Sequence, residues 1–556
     1  MTNDGPISNH AVVIVGAGPA GLALAIELGS RAIPCLILER DARAGYAPRA
    51  KTTHTRTREH LRRWGIADRL AAASPFGVDY PGNVLFVTRL SGPCIIRFDH
   101  ALNCSPQRDE RYSEHSQWIP QYKLEKVLRD HALTLPSVTL QFGLEFLSFR
   151  QDQHTVQLRV RDTSTNSERT IETNYLVGAD GSRSAVRKQI GATMIGTAGL
   201  SYNYNTIFRA PGLANAHPHG PAVMYWQING EVPSLIGPMD RDDLWFFMPT
   251  MLPPDVSFTN EQVQSMIRRS TGIDLPYEIL SSDVWVANRL LADRYSAGRV
   301  FLIGDACHLH PPFGGFGMNM GVADAVDLGW KLAAVLQDWG GATLLDSYEF
   351  ERRQAHELVL NEAATNHTHL PNNLYQAGLD EMSPRGAALR QQVAELIRRT
   401  KTDEFYALGV VLGYRYENSP IVVNDAIAND WQQSRDYRPS AAPGCLAPHH
   451  WLADGRSLYD LFGSGFTLLV LGNAEGSDIE SAERDARRSH VPLTIVRLPD
   501  AALAERYRAT RALIRPDQHV AWRGDVWPGP GVLAVASGRG ATAAPTRLGG
   551  TAPVTV

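Results

Sequence analysis

The stretch AVVIVGAGPAGLALAIELGSRAIPCLILER, residues 11–40, decides the class of fold. Its apolar run AVVIV is typical of a strand that is buried on both faces of a parallel sheet. A glycine-rich turn follows, then the helical stretch LALAIELGSR, and then a second apolar strand, CLIL, that ends at Glu39. This order of strand, glycine turn, helix and strand predicts a compact βαβ unit.

The glycine turn has the spacing GxGxxG, with Gly16, Gly18 and Gly21. The first glycine permits a tight turn, the second lets the backbone approach a pyrophosphate, and the third lets the helix pack on the strand. Phosphates would then lie against free N–H groups at a helix N-terminus. Glu39 ends the second strand, where an acid can accept hydrogen bonds from ribose hydroxyls. The unit therefore predicts dinucleotide binding, with FAD or NAD favoured over NADP.

Two later segments again join a strand to a glycine turn and a helix: YLVGADGSRSAVRKQIG at 175–191 and GRVFLIGDACHLHPPFGGFGMNMGVADAVDLGWKL at 298–332. Asp305 follows a buried strand and is placed to accept hydrogen bonds from polyol hydroxyls. The turn from Gly314 to Gly317 can present backbone N–H groups to the edge of a flavin ring. Three such segments predict one long ligand, and they favour FAD over NAD.

Composition excludes several classes of protein. The 556 residues carry 54 Lys and Arg against 58 Asp and Glu, so no basic field favours nucleic acid. The five cysteines form no CxxC pair, which gives no support to a disulfide framework, structural zinc or dithiol chemistry. No apolar window approaches the roughly 18 residues of a spanning helix, and no signal segment is visible. We expect a cytoplasmic protein without a membrane partner.

Shifts in pattern along the chain predict several domains. We expect a discontinuous FAD-binding domain of residues 10–75, 115–190 and 285–400, interleaved with a β-sheet substrate domain of residues 76–114 and 191–284. The Pro- and Ala-containing stretch at 438–448 marks a domain boundary, and we expect a smaller α/β domain at 440–536. Residues 537–556 are rich in Gly, Ala, Thr and Pro, and we expect a disordered tail. The predicted fold class is α/β with α+β character.

Together the three motifs resemble those of the class A flavoprotein monooxygenases, which have the para-hydroxybenzoate hydroxylase fold. The chain is most similar to a subgroup that contains phenol-type and polyketide hydroxylases and the rebeccamycin-pathway flavin enzyme. The stretches RRWGIA, FVTRLSG and GGFGMNMGVADAVDLGWKLAAVL carry this similarity. The segment IRPDQHVAWRG (514–524) resembles the end of the family's thioredoxin-like C-terminal domain. Because CxxC is absent here, we assign that domain no redox role.

The resemblance implies which residues bind FAD. Arg40 and Arg49 resemble arginines near the cofactor, and Gln121 resembles a glutamine that touches it. The full set of expected cofactor residues is Gly16, Gly18, Ala20, Gly21, Glu39, Arg40, Arg49, Gln121, Asp180, Gly181, Asp305, Pro312, Gly315, Gly317, Met318 and Asn319.

The resemblance also implies a reaction. NAD(P)H binds transiently and reduces FAD, and O2 then gives a C4a-hydroperoxyflavin that hydroxylates a phenolic or polycyclic aromatic substrate. Baeyer–Villiger or decarboxylative oxidation of a polycyclic intermediate is one alternative, and a flavin oxidase or dehydrogenase without oxygen insertion is another. A third is a non-catalytic flavoprotein that sequesters an aromatic ligand. The halogenase motif WxWxIP is absent, which disfavours halogenation. A homodimer is compatible with the sequence.

The substrate site is predicted from aromatic strands and nearby cations. We expect Tyr225, Gln227, Phe247 and Pro312 to contact the substrate, although alternation does not say which strand face meets it. Arg49 and Lys51 are the candidate catalytic residues, with Arg49 expected to anchor a carboxylate or a flavin intermediate. His308 and His310 are interpreted as structural, and no metal site is predicted.

Overall fold

The computed structural model describes residues 10–41, 51–254, 256–368, 371–425, 431–472 and 476–540. The strands are β1 (Val12–Val15), β2 (Cys35–Glu39), β3 (Thr52–Thr53), β4 (Val84–Val87), β5 (Cys94–Phe98), β6 (Gln117–Trp118), β7 (Val138–Phe142), β8 (Leu144–Gln151), β9 (Val156–Asp162), β10 (Glu168–Thr173), β11 (Tyr175–Gly178), β12 (Met194–Arg209), β13 (Met224–Gln227), β14 (Ser234–Pro238), β15 (Leu244–Pro249), β16 (Glu278–Ala292), β17 (Ser296–Ala297), β18 (Val300–Leu302), β19 (His308–Leu309), β20 (Phe466–Leu471), β21 (Leu493–Leu498), β22 (Arg511–Ile514) and β23 (Val520–Gly524).

The helices are α1 (Pro19–Gly29), α2 (Thr55–Arg63), α3 (Ala67–Ala73), α4 (Gln121–Ala132), α5 (Ala185–Gln189), α6 (Asn260–Thr271), α7 (Phe316–Leu336), α8 (Ala342–Thr368), α9 (Pro384–Phe405), α10 (Leu408–Leu412), α11 (Ser477–Arg488), α12 (Ala501–Tyr507) and α13 (Gly531–Ala536). In the part of the chain that the structure describes, no helix combines the length and apolar character needed to cross a membrane.

The first sheet confirms the predicted βαβ unit. Its strand order is β17-β18-β11-β1-β2-β7, and β18, β11, β1, β2 and β7 run parallel. The all-apolar strands β1 and β11 are buried along their whole length, as expected for central strands covered on both faces. β1, β11 and β18 are neighbours, so the three glycine turns that follow them meet at one edge of the sheet.

The second large sheet has eight strands in the order β19-β16-β12-β15-β14-β13-β4-β5. Its long strands β12 and β16 pair antiparallel and project from the first sheet. Helix α6 packs on one face, and α9 packs on the other. A third, three-stranded sheet has the order β10-β9-β8. The chain is therefore of mixed α/β class, as predicted.

The C-terminal part forms a four-stranded sheet in the order β21-β20-β22-β23. Its apolar core includes Trp330 and Trp339, so this sheet packs directly against the end of α7. The expectation of a tail that is disordered from residue 537 is wrong at its start. The Ser537 carbonyl accepts a hydrogen bond from the Gly341 N–H at 2.7 Å, and the Arg539 guanidinium donates to the Ser489 carbonyl at 2.6 Å. Residues 541–556 lie outside the described residues.

Candidate cofactor and active site

The first glycine turn is closely packed at Gly16 and Gly21 but leaves open space at Gly18. A Cβ at Gly16, where φ is +109°, would lie 2.3 Å from the Ala179 carbonyl oxygen, and one at Gly21 would lie 2.0 Å from the Gly16 oxygen. A Cβ at Gly18, by contrast, would meet nothing within 4 Å. Gly18 is also the N-cap of α1 and supplies no capping side chain. Open space and uncapped N–H groups thus coincide at this helix N-terminus.

Glu39 lies beside that turn with its carboxylate fixed. One oxygen accepts a hydrogen bond from the Ala17 N–H at 2.8 Å, and the other accepts from the Asp41 N–H at 2.9 Å. Each carboxylate oxygen has two lone pairs, so both retain capacity for ribose hydroxyls. The Arg40 guanidinium is exposed and faces the Asp41 carboxylate at 3.4 Å. Its predicted role at the cofactor stays a prediction.

The second turn carries a buried polar atom without a partner. Asp180 caps α5, because its Oδ2 accepts hydrogen bonds from the Ala185 and Val186 N–H groups at 2.7 and 3.1 Å. Its Oδ1 is shielded from solvent and has no hydrogen-bond partner among the described residues. At the adjacent Gly181, where φ is +76°, a Cβ would meet nothing within 4 Å. This turn therefore presents an unused acceptor next to open space.

The turn after β18, at Gly304, is hydrogen-bonded to Asp324. Asp324 is a fully buried residue of α7, and the sequence analysis did not single it out. Its Oδ2 accepts hydrogen bonds from the Gly304 N–H at 3.0 Å and from His308 Nε2 at 2.8 Å. These two residues flank Asp305, which is exposed. Asp324 thus fixes the backbone on which Asp305 is presented.

Two further side chains, Arg352 and His356, complete the Asp324 cluster. Asp324 Oδ1 accepts hydrogen bonds from Arg352 Nε and His356 Nε2, both at 2.8 Å. Burial lowers the pKa of His356 to about 3. His308 and His356 stack with ring centroids 3.8 Å apart. The structural interpretation of His308 is supported by these contacts. Arg352 and His356 come from α8, and no spacing in the sequence links them to Asp324.

The start of α7 is a second uncapped helix N-terminus. Gly315 is its N-cap with φ +68° and contributes no side-chain cap. A Cβ at Gly317 would have only the His310 Cβ nearby, at 3.9 Å. Pro312 is exposed just before this turn, and the Met318 side chain packs on the core of the first sheet. Backbone donors at this point fit the edge of a flavin ring.

The Asn319 side chain forms all of its hydrogen bonds within the protein, and the predicted contact of this residue with the cofactor stays a prediction. Its Oδ1 accepts hydrogen bonds from the His54 N–H at 2.8 Å and the Thr57 hydroxyl at 2.7 Å. Its Nδ2 donates to the carbonyls of Thr52 and Gly315 at 3.0 and 2.7 Å. The side chain therefore ties the segment 52–57 to the α7 turn, and only its backbone remains for a cofactor.

His54 supports the same turn and was missed in the sequence analysis. Its Nε2 lies 2.9 Å from the Gly314 carbonyl, and its ring meets Phe316 edge-on at 5.4 Å. Burial lowers the pKa of His54 to about 4, so the imidazole is neutral at physiological pH. The basic stretch THTRTREHL was the only sequence signal, and it gave no reason to select His54.

Lys51 lies between the α7 turn and the eight-stranded sheet. Its Nζ lies 2.7 Å from the ring centroid of Phe246, is shielded from solvent, and has no hydrogen-bond partner in the described part of the chain. Burial alone holds the pKa of Lys51 well below its usual range. The next residue, Thr52, is bound to Asn319 as described above, so Lys51 is anchored directly beside the turn. Arg49 lies outside the described residues.

Family models match most of the chain. The family described as "FAD binding domain" matches residues 9–363, and "Aromatic-ring hydroxylase, C-terminal" matches residues 440–548. The chain belongs to the FAD-binding aromatic-ring hydroxylase family. The "FAD-dependent monooxygenase apdD" of Emericella nidulans is 31% identical, with 92% of this chain and 87% of that protein covered. The "Putative polyketide hydroxylase" of Streptomyces halstedii is 32% identical, with 92% and 93% covered.

Solved structures agree with this family in both fold and length. The rebeccamycin biosynthetic enzyme RebC with reduced flavin is 34% identical with a TM-score of 0.86, and 96% of this chain and 99% of that chain are covered. The flavin-dependent monooxygenase PieE in complex with FAD and substrate is 30% identical with a TM-score of 0.87, covering 96% and 100%. The predicted resemblance and the predicted fold are thereby confirmed.

The cradle of this hydroxylase fits FAD on its own chemistry. The open space at Gly18, Gly181 and Gly317, the unpaired Asp180 Oδ1 and the two uncapped helices all lie along one edge of the parallel sheet. Ala20 brings the first glycine turn into close contact with the turn at Gly304, because a Cβ at Gly304 would lie 3.1 Å from the Ala20 Cβ. A long ligand with phosphates and polyol hydroxyls matches this set of donors and acceptors.

Gln121 forms a side-chain hydrogen bond within its own helix. It is the first residue of α4, and its Nε2 donates to the Glu125 carboxylate at 2.7 Å, one helical turn away. Its contact with FAD stays a prediction.

The two faces of the eight-stranded sheet separate the predicted substrate residues from the α7 turn. Phe86, Trp226 and Phe246 share one face, and Trp226 stacks on Phe313 of the turn with centroids 6.5 Å apart. Tyr225 and Phe247 lie on the opposite face, under α6.

Gln227 is likewise directed away from the turn. Its Nε2 donates to Ser270 of α6 at 3.2 Å, and its Oε1 accepts from the Leu90 N–H at 2.9 Å. Tyr225, Gln227 and Phe247 therefore lie on the face that is directed away from the α7 turn, and their contact with the substrate stays a prediction. Alternation divides a strand between two faces without identifying which face meets a ligand.

Proposed function

We propose that the protein is a FAD-dependent monooxygenase that uses NAD(P)H and O2 to hydroxylate a phenolic or polycyclic aromatic substrate, held at Lys51. One observation carries the proposal of the site: directly beside the α7 turn, a buried amine that has no hydrogen-bond partner among the described residues lies on the Phe246 ring. The relatives' names support the reaction class, since they include "4-methyl-5-nitrocatechol 5-monooxygenase" and "2,4-dichlorophenol 6-monooxygenase".

Bound FAD supplies hydride acceptance from NAD(P)H and the activation of O2. The residues proposed to hold it are the glycines of the three turns, Glu39, Asp180 and Asp305. Asn319 and His54 hold the α7 turn through the carbonyls of Gly315 and Gly314, so the N–H groups of the turn would remain available to the flavin. The chain's contribution is thus positioning and the exclusion of water.

Lys51 is proposed to hold the proton of the substrate hydroxyl. Burial lowers the pKa of Lys51 and so favours the neutral amine, which has a lone pair for the phenol proton, and the phenolate beside it offsets the cost of the ammonium that forms. A phenolate is the more electron-rich ring and is therefore the better target for an electrophilic oxygen. An ordinary surface lysine would already be protonated at neutral pH and could not take this proton.

The flat aromatic side chains of the cofactor-side face form the proposed substrate floor. Phe86 and Trp226 lie parallel, with centroids 6.1 Å apart and an interplanar angle of 4°. Trp226 continues this stack onto Phe313. Such a surface suits a planar ring system. Under this proposal the strands of residues 76–114 and 191–284 bind substrate, and the parallel sheet binds FAD.

The reaction is tested with purified, FAD-loaded enzyme and a series of phenols and polycyclic phenols. We expect at least one of them to stimulate NADH or NADPH oxidation and to gain one oxygen atom from 18O2 by mass spectrometry. Stimulated oxidation with no labelled product would indicate an oxidase instead. The variant Lys51→Met should lose product formation while it retains FAD, whereas Lys126→Met, which changes an exposed lysine of α4, serves as the matched lysine control.

A further inference from the structure

A cavity of about 370 Å³ lies at one end of the eight-stranded sheet, outside the site described above. Three loops form it: the one before β4, the one between β12 and β13, and the one between β14 and β15. We call it the outer cavity. Its lining residues are Asp79, Tyr80, Pro81, Ala214, Asn215, His217, Pro221, Tyr225, Pro238, Asp240, Arg241, Asp242 and Trp245.

Aromatic rings form part of the wall of the outer cavity. Tyr225 and Trp245 lie at an interplanar angle of 28° with centroids 6.4 Å apart. The His217 ring stands edge-on to both, 5.1 Å from Tyr225 and 6.4 Å from Trp245. The volume and the flat walls together suit a planar ring of one to three fused cycles.

Two ring nitrogens of this lining are buried and lack a hydrogen-bond partner in the described part of the chain. Trp245 Nε1 and His217 Nε2 are each shielded from solvent and lack a hydrogen-bond partner among the residues the structure describes. Burial lowers the pKa of His217 to about 4, so its ring is neutral. Since His217 Nδ1 accepts a hydrogen bond from the His219 N–H at 3.4 Å, the ring proton belongs on Nε2. Both orphaned atoms are therefore donors.

The Tyr225 hydroxyl does not compete for a ligand, because it already donates to the Gly220 carbonyl at 2.5 Å. The charged groups of the lining are Asp79, Asp240 and Asp242 against Arg241. Arg241 is paired with Asp79 at 2.5 Å. This surplus of carboxylates repels anions, so the two N–H donors select a neutral acceptor rather than a carboxylate or a phenolate.

We propose that the outer cavity is a second ligand site, which binds a neutral planar aromatic carbonyl compound such as a quinone or an aromatic ketone. The carbonyl oxygen accepts hydrogen bonds from Trp245 Nε1 and His217 Nε2, and the ring lies against Tyr225. Leaving a buried donor unpaired is costly, and a carbonyl oxygen has two lone pairs with which it can accept hydrogen bonds from two donors.

The outer cavity is distinct from the Lys51 site in position and in chemistry. Trp245 and Phe246 are consecutive in β15, so their side chains point to opposite faces of the sheet. Lys51 lies over Phe246 and attracts an acidic hydroxyl, whereas the outer cavity excludes acids. The proposal does not rest on the proposed function, and occupancy of one site is measurable while the other is disabled.

The test uses chromone, a planar aromatic ketone, and the full-length FAD-loaded protein. Chromone binding is measured by calorimetry. Naphthalene, a planar hydrocarbon of similar size without a carbonyl oxygen, is the control ligand. We expect Trp245→Phe, which removes the N–H and keeps a ring, to weaken chromone binding at least tenfold. Trp451→Phe, whose indole N–H donates to the Asp109 carbonyl far from the cavity, should leave binding unchanged. Naphthalene should bind weakly to every variant.

A second measurement remains available if Trp245→Phe fails to fold. Chromone should shift the Trp245 indole N–H resonance in the ¹⁵N-tryptophan spectrum, and His217→Leu should weaken its binding to a similar degree. Lys51→Met should bind chromone as the parent does. The proposal is overturned if chromone does not bind, if it binds no better than naphthalene, or if its binding is lost in Lys51→Met and kept in Trp245→Phe.

Discussion

Arg352 and Lys51 are both buried basic side chains, yet their surroundings are opposite. Arg352 donates to Asp324 at 2.8 Å and to the Tyr416 hydroxyl at 3.1 Å, and it also lies beside the Met320 carbonyl. Lys51 contacts an aromatic ring and has no hydrogen-bond partner in the described residues. A buried charge with complete partners holds a fold together, whereas one without partners costs stability and is available to a ligand.

The largest expected effect comes from breaking the complete cluster. Asp324→Asn removes the charge that compensates Arg352, and loss of one member of a buried ion pair costs about 3–5 kcal/mol. We expect the free energy of unfolding, measured by urea denaturation, to fall by this amount. FAD affinity should fall as well, because Asp324 holds Gly304 and His308 on either side of Asp305.

A control for that experiment is Glu395→Gln, which breaks an exposed ion pair with Arg398. Exposed pairs contribute little, so its unfolding free energy should match that of the parent. Equal stability of Asp324→Asn and Glu395→Gln would refute the structural role assigned to the cluster.

Asn319→Leu is expected to have the next largest effect. Leucine has a similar volume but leaves the His54 N–H and the carbonyls of Thr52 and Gly315 without partners. Each buried polar group left unpaired costs about 1–3 kcal/mol. We expect lower stability, and looser FAD binding than in the parent, by fluorescence titration. Unchanged FAD affinity would show that the segment 52–57 does not position the α7 turn.

Lys51→Met should change stability in the opposite direction. Removing an unpartnered buried amine relieves its desolvation, and we expect the protein to gain about 1–3 kcal/mol. The gain should shrink as pH rises toward the usual lysine pKa. Lysine in the unfolded chain loses its proton there, while the amine of the folded protein, with its lowered pKa, is already neutral. Denaturation of both proteins at several pH values checks this, and a destabilised Lys51→Met would contradict the comparison.

The smallest effect on stability is expected at Gly18. Gly18→Ala places a Cβ where no atom lies within 4 Å, so the apo protein should unfold much as the parent does. FAD binding should weaken, because the same Cβ occupies the space proposed for the pyrophosphate. Gly21→Ala is the matched contrast, since its Cβ would lie 2.0 Å from the Gly16 oxygen and must destabilise the fold itself. If Gly18→Ala bound FAD as tightly as the parent, the pyrophosphate would lie elsewhere.

The sequence predicted well whatever depends on local spacing. The glycine turn, the carboxylate at Glu39 and the order of strands in the βαβ unit follow from contacts within about 30 residues. The two later turns were located by the same pattern, and parallel strands bring them together without further information. The mixed α/β fold and the family were therefore predictable from residues 11–332.

The remaining features depend on contacts that spacing does not encode. Tyr225 and Trp226 are adjacent, and only the packing of α6 and Phe313 shows which one faces the turn. Asp324 meets His356 because α7 and α8 pack together. Lys51 was singled out in the structure because its amine has no hydrogen-bond partner in the part of the chain that is described, and this depends on the folded surroundings rather than on spacing. Asn319 was selected by its motif, which gave no sign that its side chain binds the protein itself.

The most direct test of the Lys51 proposal is the ionisation state of a bound phenol. The absorption spectrum of 4-nitrophenol distinguishes phenol from phenolate, and it can be recorded in the FAD-loaded protein by difference against the free ligand. At a pH below the pKa of free 4-nitrophenol, we expect the ligand bound to the parent to be phenolate and the ligand bound to Lys51→Met to be phenol. Identical spectra in the two proteins would contradict the proposal that Lys51 holds the substrate proton.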